Sequence, residues 1–289
     1  MNTPGTLLRH IVTDRRAVLV PGVMNALAAR IAEDEGFEAL YVTGAGVSNA
    51  YLGLPDVAFL SLTQLADHVA AIRNVTNLPL IVDGDTGFGN AVNTWHTVRT
   101  LERAGANAIQ LEDQEFPKRC GHFDGKSVIG ADEMARKIAS AAEARHDPDF
   151  LIIGRTDAYA TEGLDAALDR ARRYIAAGAD MTFVEAPRRI EDISRIAAEL
   201  EVPQVVNIVI GGKTPPMEHA ELAEAGVGIA LYANAALQGA MLGMKTALSA
   251  LKESGKLTEE SGVVVPFEER QRLVGKPEVD AIENKFADG

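Results

Sequence analysis

Eight short apolar runs, each followed by a stretch with helical spacing, constrain the fold of this chain more than any other feature. Each run is rich in Val, Ile, Leu or Phe and leads through polar or Gly residues into an Ala-rich segment. The predicted strands are Ala17–Val20, Ala39–Val42, Leu78–Val82, Ala108–Leu111, Phe150–Ile153, Met181–Val184, Gln204–Ile208 and Gly228–Tyr232. The predicted helices are Asn25–Glu35, Leu62–Asn74, Val92–Ala104, Ala131–Ala144, Leu164–Ala177, Ile190–Leu200, Met217–Ala225 and Ala235–Glu253.

This alternation predicts parallel strands joined by crossover helices, because strands buried on both faces read as continuous apolar runs. Eight units favour a closed (β/α)8 TIM-type barrel over an open doubly wound sheet, and the first strand lacks the G-x-G-x-x-G turn of a dinucleotide-binding fold. We therefore expect an α/β barrel over residues 1–251. We expect residues 252–289 to form a C-terminal helical extension that packs on a neighbouring subunit.

Length and charge limit the class of protein. The 289 residues suffice for a barrel, which needs about 250. A net charge of -13 repels nucleic acid and anionic lipid. It does not exclude an anionic small substrate, because a few cations inside a cleft set the local field. One cysteine cannot form an intrachain disulfide, and no stretch approaches the roughly 20 apolar residues that span a bilayer. We therefore expect a cytoplasmic protein with no nucleic-acid or membrane partner.

Polar residues gather at the predicted strand ends. In barrels of this type, active sites form at the C-terminal ends of the strands. Six consecutive strands, the second to the seventh, end in such residues. They are Tyr41 and Thr43 with Gly44, Asp83 and Asp85, Glu112 and Asp113, Arg155 and Asp157, Glu185, and Asn207. The sequence therefore predicts one functional rim.

The turn after the third strand, VDGDTGFG, is a candidate metal site. Asp83 and Asp85 are two residues apart, so both can reach one ion, directly or through water. Oxygen ligands without His or Cys suit Mg2+ or Mn2+. The alternative is an acidic turn whose aspartates cap the next helix. Glu112, at the end of the adjacent strand, favours the metal site.

Arg155 is a candidate anion ligand, because its planar guanidinium matches a carboxylate or phosphate. The alternative is a structural ion pair with Glu185 or Asp157. Asn207 and the backbone amides after Thr43 are further candidates for holding an anionic oxygen, although either can simply close a strand end.

The loop after the fourth strand carries the chain's single cysteine. Cys120 lies among Lys118, Arg119 and His122, a setting that can lower the pKa of a thiol and make it a proton carrier or nucleophile. The alternative is a charged loop with an incidental thiol.

Taken together, KRCGH after an LEDQ strand, the VDGDTGFG turn, GRTDA, EGLDAAL and FVEAP resemble the isocitrate lyase and phosphoenolpyruvate mutase superfamily, from about Leu7 to at least Leu251. The resemblance implies an α/β barrel whose last helix is exchanged between subunits of a homotetramer. It also implies that Mg2+ holds the carboxylate of a 2-oxo or 2-hydroxy acid.

Matched motifs imply roles for individual residues. Asp83 and Asp85 are implied to hold the Mg2+ shell, with Asp56 of LGLPD and Glu112 as support. The implied substrate contacts are Thr43, Gly44 and Ala45 for a carboxylate, together with Asp56, Gly121, Arg155, Glu185, Asn207 and Arg270.

Because it has a cysteine in KRCGH, the chain resembles the carbon–carbon lyase branches of this superfamily, which include 2-methylisocitrate lyase and 2,3-dimethylmalate lyase. In those enzymes, loss of the 2-hydroxyl proton expels an enolate-like carbanion and leaves pyruvate or another 2-oxo acid. The cysteine then protonates the carbanion. The resemblance thus implies catalytic roles for Cys120, with Lys118 and His122 of its loop, and for Tyr41 as a base or proton relay.

Two departures bear on the substrate. Methylisocitrate lyases tend to read N-I-T-E-F-G where this chain reads NIVIGGKTP, with Ile210 in place of Glu, and Gln238 stands where an Arg is expected. The GGKTP segment resembles the branches of the superfamily that contain dimethylmalate lyase and oxaloacetate hydrolase. We therefore expect a substituted malate or related 2-hydroxydicarboxylate, with a tricarboxylate still open.

Three other functions remain open. On the same fold, the alternatives are a carboxyphosphonoenolpyruvate-type phosphonomutase and an oxaloacetate hydrolase or decarboxylase. From another class, the alternative is a catalytically silent barrel that acts in binding or assembly.

Overall fold

The computed structural model describes residues 3–119, 121, 125–215 and 217–287. All eight predicted strands are present, with bounds that differ from the prediction by at most a few residues. They are β1 (Val18–Val23), β2 (Leu40–Val42), β3 (Leu80–Asp83), β4 (Ala108–Glu112), β5 (Leu151–Thr156), β6 (Met181–Val184), β7 (Val205–Asn207) and β8 (Ile229–Tyr232).

The strands form one parallel sheet that nearly closes into a barrel. Their order is β6-β5-β4-β3-β2-β1-β8-β7, so strands that are consecutive in the chain pair with each other, except β6 and β7, and β1 pairs with β8. The remaining gap, between β6 and β7, is crossed by a single parallel bridge from Thr182 to Gln204. The TIM-type barrel predicted from the eight repeats is confirmed.

Helices join the strands. The eight predicted helices appear as α2 (Ala26–Asp34), α4 (Leu62–Arg73), α5 (Ala91–Ala104), α6 (Ala131–Ala144), α8 (Leu164–Ala176), α9 (Ile190–Glu199), α10 (His219–Glu224) and α11 (Ala235–Ser254). The structure adds α1 (Pro4–Thr13), α3 (Gly44–Val47), a π-helix (Ser48–Leu52), α7 (Tyr159–Glu162), a 3-10 turn (Glu259–Ser261), α12 (Phe267–Leu273) and α13 (Lys276–Phe286). Side-chain caps fix several helix starts; Ser61 and Asn90, for example, form capping boxes at α4 and α5.

The barrel interior is apolar at its amino-terminal end. Alternate residues of the strands point inward, because side chains of a strand alternate between its two faces. Leu8, Ile11 and Val12 of α1 join the interior cluster with Val18 of β1 and Ile229 of β8. Helix α1 therefore closes this end of the barrel, and the cavity at the other end opens toward the strand termini.

The outer side of β1 is incompletely covered. Leu19 is 40% exposed, although every other residue of β1 is buried. In α11, the longest helix among the described residues, only Leu237 is buried. Most of α11 therefore extends away from the barrel instead of covering β1. No helix in the described part of the chain is long and apolar enough to cross a membrane.

Candidate active site

The carboxyl ends of the strands bring the predicted polar residues to one cavity. Each strand places every second side chain in the barrel, so the inward positions end in a polar layer above the apolar one. The cavity is lined by Tyr41, Thr43, Ala45, Asp56, Asp83, Glu112, Lys118, Gly121, Arg155, Glu185 and Asn207, among others. Eleven residues predicted as site residues thus lie around one space.

The acidic turn after β3 is held in a defined shape. Asp83 Oδ2 accepts a hydrogen bond from the Gly44 amide at 3.3 Å, and Asp83 Oδ1 accepts one from the Asp85 amide at 3.2 Å. The Glu112 amide donates to the Asp85 carbonyl at 2.9 Å. Asp85 has a left-handed backbone, with φ of 48°, which is strained for a residue with a side chain. The turn therefore fixes the aspartates beside Glu112.

Lys118 bridges two carboxylates at the rim. Its Nζ lies 2.6 Å from Asp56 Oδ1 and 2.8 Å from Asp85 Oδ1, and the lysine side chain is 3% exposed. Burial alone would lower the pKa of Lys118, but the surrounding carboxylates outweigh it and raise that pKa well above the usual value. Lys118 therefore remains a cation in this position.

Arg155 lies among three carboxylates. Its Nε donates to Asp157 Oδ2 at 2.9 Å and lies 3.3 Å from Glu112 Oε2, and its Nη1 lies 3.7 Å from Glu185 Oε2. The guanidinium carbon also stands 5.1 Å from the centre of the Phe183 ring. Arg155 thus forms both ion pairs, with Asp157 and with Glu185, that were the alternatives to anion binding. Its guanidinium also lines the cavity that an anion would enter.

Carboxylates outnumber the buried cations in this part of the structure. Six acidic side chains surround three buried basic ones: Asp56, Asp83, Asp85, Glu112, Asp157 and Glu185 against Lys118, Lys126 and Arg155. Burial, together with neighbouring carboxylates, raises the pKa of Asp85 to about 7. Burial likewise raises the pKa of Glu112 well above its ordinary value. The cluster therefore favours an additional positive charge.

A hydrated divalent cation fits these donors. In the described ranges, no three His, Cys, Asp or Glu side chains converge into a complete metal shell. Mg2+ does not need one, since it usually takes one or two carboxylates and keeps several waters. Glu112 Oε1 is buried without a hydrogen-bond partner in the described structure, an acceptor suited to a cation or to its water. Asp83, Asp85 and Glu112 are the residues that would hold the ion.

Tyr41 lines the cavity but is poorly suited to act as a base. Its hydroxyl donates to Gln110 Oε1 at 2.5 Å. Burial, reinforced by the charge of Asp83, raises the pKa of Tyr41 well above the usual value. The phenol is therefore protonated at neutral pH and acts as a hydrogen-bonding group.

Gly121 lies directly against the Arg155 and Glu185 side chains. A Cβ at this position would come within 2.3 Å of Glu185 Oε1 and 2.4 Å of Arg155 Nη2. Only glycine fits here without displacing that pair. Cys120 and His122, predicted as catalytic residues, lie outside the described residues.

Arg270 is not brought to this cavity within the single chain. It is exposed on α12, with its guanidinium over the Phe267 ring. The neighbouring Arg272 pairs with Asp34 at the end of α2, at 2.6 Å. The contact between Arg270 and the substrate therefore stays a prediction, and it requires Arg270 to reach the cavity of another subunit.

Several cavity residues were not predicted. Asn234, Val209 and Phe183 also line the cavity, and Lys126 reaches Asp157 behind Arg155. Asn234 had a usable signal, since it is a polar residue two positions after the end of the eighth apolar run. Lys126 had none, because it lies far along a loop from any strand end.

A second cavity adjoins the first on the β7 and β8 side. It has a volume of about 520 Å³ and shares Ala45, Asp56, Val209 and Asn234 with the first. Its remaining wall is formed by residues of two loops: Asn49, Pro55, Ile210, Gly211, Gly212 and Lys213. A ligand held at the acidic turn therefore has room to extend in this direction.

The nearly closed α/β barrel carries an acidic cluster and a buried arginine at the carboxyl ends of its strands, the place where enzymes of this fold have their active sites. The family model described as phosphoenolpyruvate phosphomutase matches residues 8–252. The chain belongs to this family, which confirms the superfamily inferred from its motifs.

Named relatives are lyases. The chain is 39% identical over 289 residues to a 2,3-dimethylmalate lyase of Eubacterium barkeri, and the match covers 100% of both chains. It is 41% identical over 255 residues to a 2-methylisocitrate lyase of Aeropyrum pernix, covering 88% of this chain and 82% of the relative.

A solved structure shows the same fold. A phosphonopyruvate hydrolase in complex with oxalate and Mg2+ superposes with a TM-score of 0.89 at 30% identity. The superposition covers 99% of this chain and 100% of that one.

The raised pKa of Asp85 predicts a pH-dependent stability in the metal-free protein. Between its ordinary value of 3.8 and about 7, the folded chain keeps a proton that the unfolded chain has released. The contribution of Asp85 to stability is therefore fully present below about pH 3.8 and is lost as pH rises to about 7. Asp85→Asn removes the pH-dependent contribution of this carboxyl group. The melting temperature of the variant minus that of wild type should therefore rise by several degrees between pH 5 and pH 8 in EDTA.

Circular dichroism melts measure this difference. The exposed Asp67→Asn on α4 serves as the matched control, and its melting temperature relative to wild type should stay constant across the same range. A constant difference for Asp85→Asn would contradict the raised pKa.

Proposed function

We propose that the chain is a Mg2+-dependent carbon–carbon lyase. It cleaves a 2-hydroxydicarboxylate of the substituted malate type into a 2-oxo acid such as pyruvate and a carboxylate. The observation that carries the proposal is the cavity in which Asp83 and Glu112 face the buried Arg155, with Asp85 next to Asp83 in the same turn. That arrangement supplies a cation site and an anion-binding group within one space, and the family's named lyases support the reaction class.

Asp83, Asp85 and Glu112 are proposed to hold Mg2+, and Mn2+ is a possible substitute. When bound, the ion stabilises negative charge on the 2-oxygen and lowers the pKa of the 2-hydroxyl. The residues themselves keep the site anionic and, through the Gly44 and Asp85 amides, fix the direction of Asp83.

Arg155 and Asn207 are proposed to bind a substrate carboxylate. Arg155 presents charged N–H groups, and burial strengthens their interaction with an anion. Thr43, Gly44 and Ala45 are proposed to flank the same carboxylate, with Asp56 and Glu185 completing the wall. Tyr41 is proposed to position the 2-hydroxyl, because its own hydrogen is directed at Gln110 and its oxygen can accept.

One proton leaves the substrate and one enters it. The 2-hydroxyl releases its proton to water, the C2–C3 bond breaks as C2 becomes a carbonyl, and the C3 carbanion takes up a proton from an acid that water then reprotonates. Cys120 is proposed as the donor of that proton, with Lys118 and His122 as its charged neighbours. Support comes from Lys118 and Gly121 on either side of it in sequence, since both line the cavity.

The adjoining cavity supports a branched dicarboxylate. Val209 and Ile210 offer apolar surface to alkyl substituents, and the wall also includes Lys213, whose charge suits a distal carboxylate. Such pockets discriminate a methyl group by about 1–3 kcal/mol, so related malates are proposed to react at different rates.

A phosphonate substrate is the second candidate, and it rests on one observation. The phosphonopyruvate hydrolase shares the fold over nearly the whole chain. Phosphonopyruvate and oxaloacetate therefore belong in any substrate survey of this protein.

We also propose a homotetramer in which α11 is exchanged between subunits. Met241, Met244, Leu248 and Leu251 form a stripe with spacings of three and four residues, and all are more than 40% exposed. A second copy's α11 would cover both this stripe and the exposed Leu19. We further propose that residues 252–289 form a separate helical extension, and that the protein is cytoplasmic and binds neither nucleic acid nor membrane, which its net charge of -13 supports.

A substrate panel with pyruvate and glyoxylate detection tests the lyase. We expect at least one 2-hydroxy di- or tricarboxylate to release a 2-oxo acid, with loss of activity in EDTA and recovery on adding Mg2+. Cys120→Ser should lower kcat by about 10²–10⁴-fold, the usual contribution of a positioned proton donor. The same variant should bind oxalate in the presence of Mg2+ as wild type does, which shows an intact site.

The panel also separates the alternatives. Product only from phosphonopyruvate, followed by phosphorus NMR, or only from oxaloacetate, would replace the carbon–carbon lyase with the corresponding activity. No product from any member, together with no Mg2+ binding by calorimetry, would favour a catalytically silent barrel.

Light scattering after gel filtration tests the assembly. We expect a mass about four times the 30.8 kDa of one chain. Met244→Glu with Leu248→Glu should yield a smaller species, because two charges would enter the apolar contact. Val92→Glu, at a 75% exposed position on α5, is the matched control and should leave the mass unchanged. A monomeric wild type would contradict the exchange.

A further inference from the structure

Lys126 is a buried lysine that no step of the proposed reaction uses. Its side chain is 2% exposed, and its Nζ donates to Asp157 Oδ1 at 2.6 Å and to the Gly121 carbonyl at 2.5 Å. Asp157 is fully buried. Burying a lysine costs free energy unless it is paired, so an ammonium in this place requires the carboxylate opposite it.

Asp157 is shared between two cations. Its Oδ2 accepts from Arg155 Nε at 2.9 Å, whereas its Oδ1 accepts from Lys126 at 2.6 Å and only more weakly from Arg155 Nη2, at 3.3 Å. Burial would raise the pKa of Asp157, but the charges and hydrogen bonds of Arg155 and Lys126 outweigh it and lower that pKa. Asp157 is therefore an anion whose charge is balanced by Arg155 and Lys126 together.

The backbone of Asp157 is also fixed from behind. Its amide donates to Asp113 Oδ1 at 2.9 Å, and Asp113 Oδ2 in turn accepts from Thr156 and from Tyr174, each at 2.7 Å. These hydrogen bonds hold the Asp157 backbone in place, with its carboxylate beside Arg155.

We propose that Lys126 is a positioning residue that keeps the positive charge of Arg155 available to the substrate carboxylate. Without Lys126, the full charge of Asp157 would compete with the substrate for Arg155. Asp157 would then draw Nη2 as well as Nε. The proposal rests on the proposed role of Arg155 in binding a carboxylate.

The second hydrogen bond of Lys126 supports the same role. By also donating to the Gly121 carbonyl, Lys126 links Gly121 to Asp157, and a Cβ on this glycine would lie 2.4 Å from Arg155 Nη2 and 2.3 Å from Glu185 Oε1. Arg155 is thus held between Asp157 on one side and Gly121 on the other. The Lys126 ammonium therefore holds both Asp157 and Gly121, the two residues that flank Arg155.

A charge-rescue experiment distinguishes this role from a simple structural ion pair. The variants are Lys126→Met, the double variant Lys126→Met with Asp157→Asn, and the charge-keeping Lys126→Arg. Lys285→Met, an exposed lysine on α13, is the matched control. Calorimetry measures the Kd of oxalate in the presence of Mg2+, activity assays measure KM and kcat, and melting curves report folding.

Lys126→Met should weaken oxalate binding about tenfold or more and raise KM by a similar factor, because an uncompensated buried carboxylate now faces Arg155. Removing that carboxylate charge in the double variant should return the Kd of oxalate to within about threefold of wild type. Lys126→Arg and Lys285→Met should bind oxalate as wild type does.

Two results would overturn the proposal. One is a double variant that binds oxalate no better than Lys126→Met, which a purely structural pair predicts. The other is wild-type affinity in Lys126→Met. If Lys126→Met fails to fold, a folded double variant with weak binding would contradict the proposal equally. Wild-type protein that binds no oxalate would instead refute the carboxylate site of the proposed function, and this proposal with it.

Discussion

The structure depends on balancing charge inside a barrel that buries it. The inward positions at the strand ends must be filled, and here they are filled largely by carboxylates. Isolated ions in such surroundings are costly, so each must find a cation or a proton. Lys118, Lys126 and Arg155 balance some of the negative charge of these carboxylates. The raised pKa of Asp85 indicates negative charge that the three cations leave unbalanced. The remaining negative charge supports the proposed binding of a divalent cation at this site.

The barrel supplies the precision that this balance needs. Parallel pairing sets Glu112 beside Arg155 in register, and the apolar interior below, closed by α1, keeps the strand ends from shifting. Asp113 shows the complementary arrangement. It follows Glu112 directly but points outward, where Thr156, Tyr174 and Arg170 satisfy it. Neighbouring acids in the sequence therefore serve different purposes, one in the cavity and one behind it.

Much of this was predictable from the sequence, for physical reasons that differ between residues. The repeat of apolar run and helix determines a parallel barrel, and a barrel sends Asp83, Arg155 and Asn207 to one rim. Lys126 was not predictable, because its role comes from a long side chain reaching across a loop to Asp157. Nor was the exposure of Leu19, since the repeat pattern predicts that a helix covers every strand.

We propose that the acidic turn after β3 and Arg155 together bind a divalent cation and a carboxylate in one cavity. The most direct measurement is a crystal structure grown with Mn2+ and oxalate, with anomalous scattering to locate the metal. We expect a single strong peak in the cavity, bound directly or through water by Asp83, Asp85 and Glu112, with oxalate between the metal and Arg155. A peak elsewhere, or oxalate bound away from Arg155, would contradict the account.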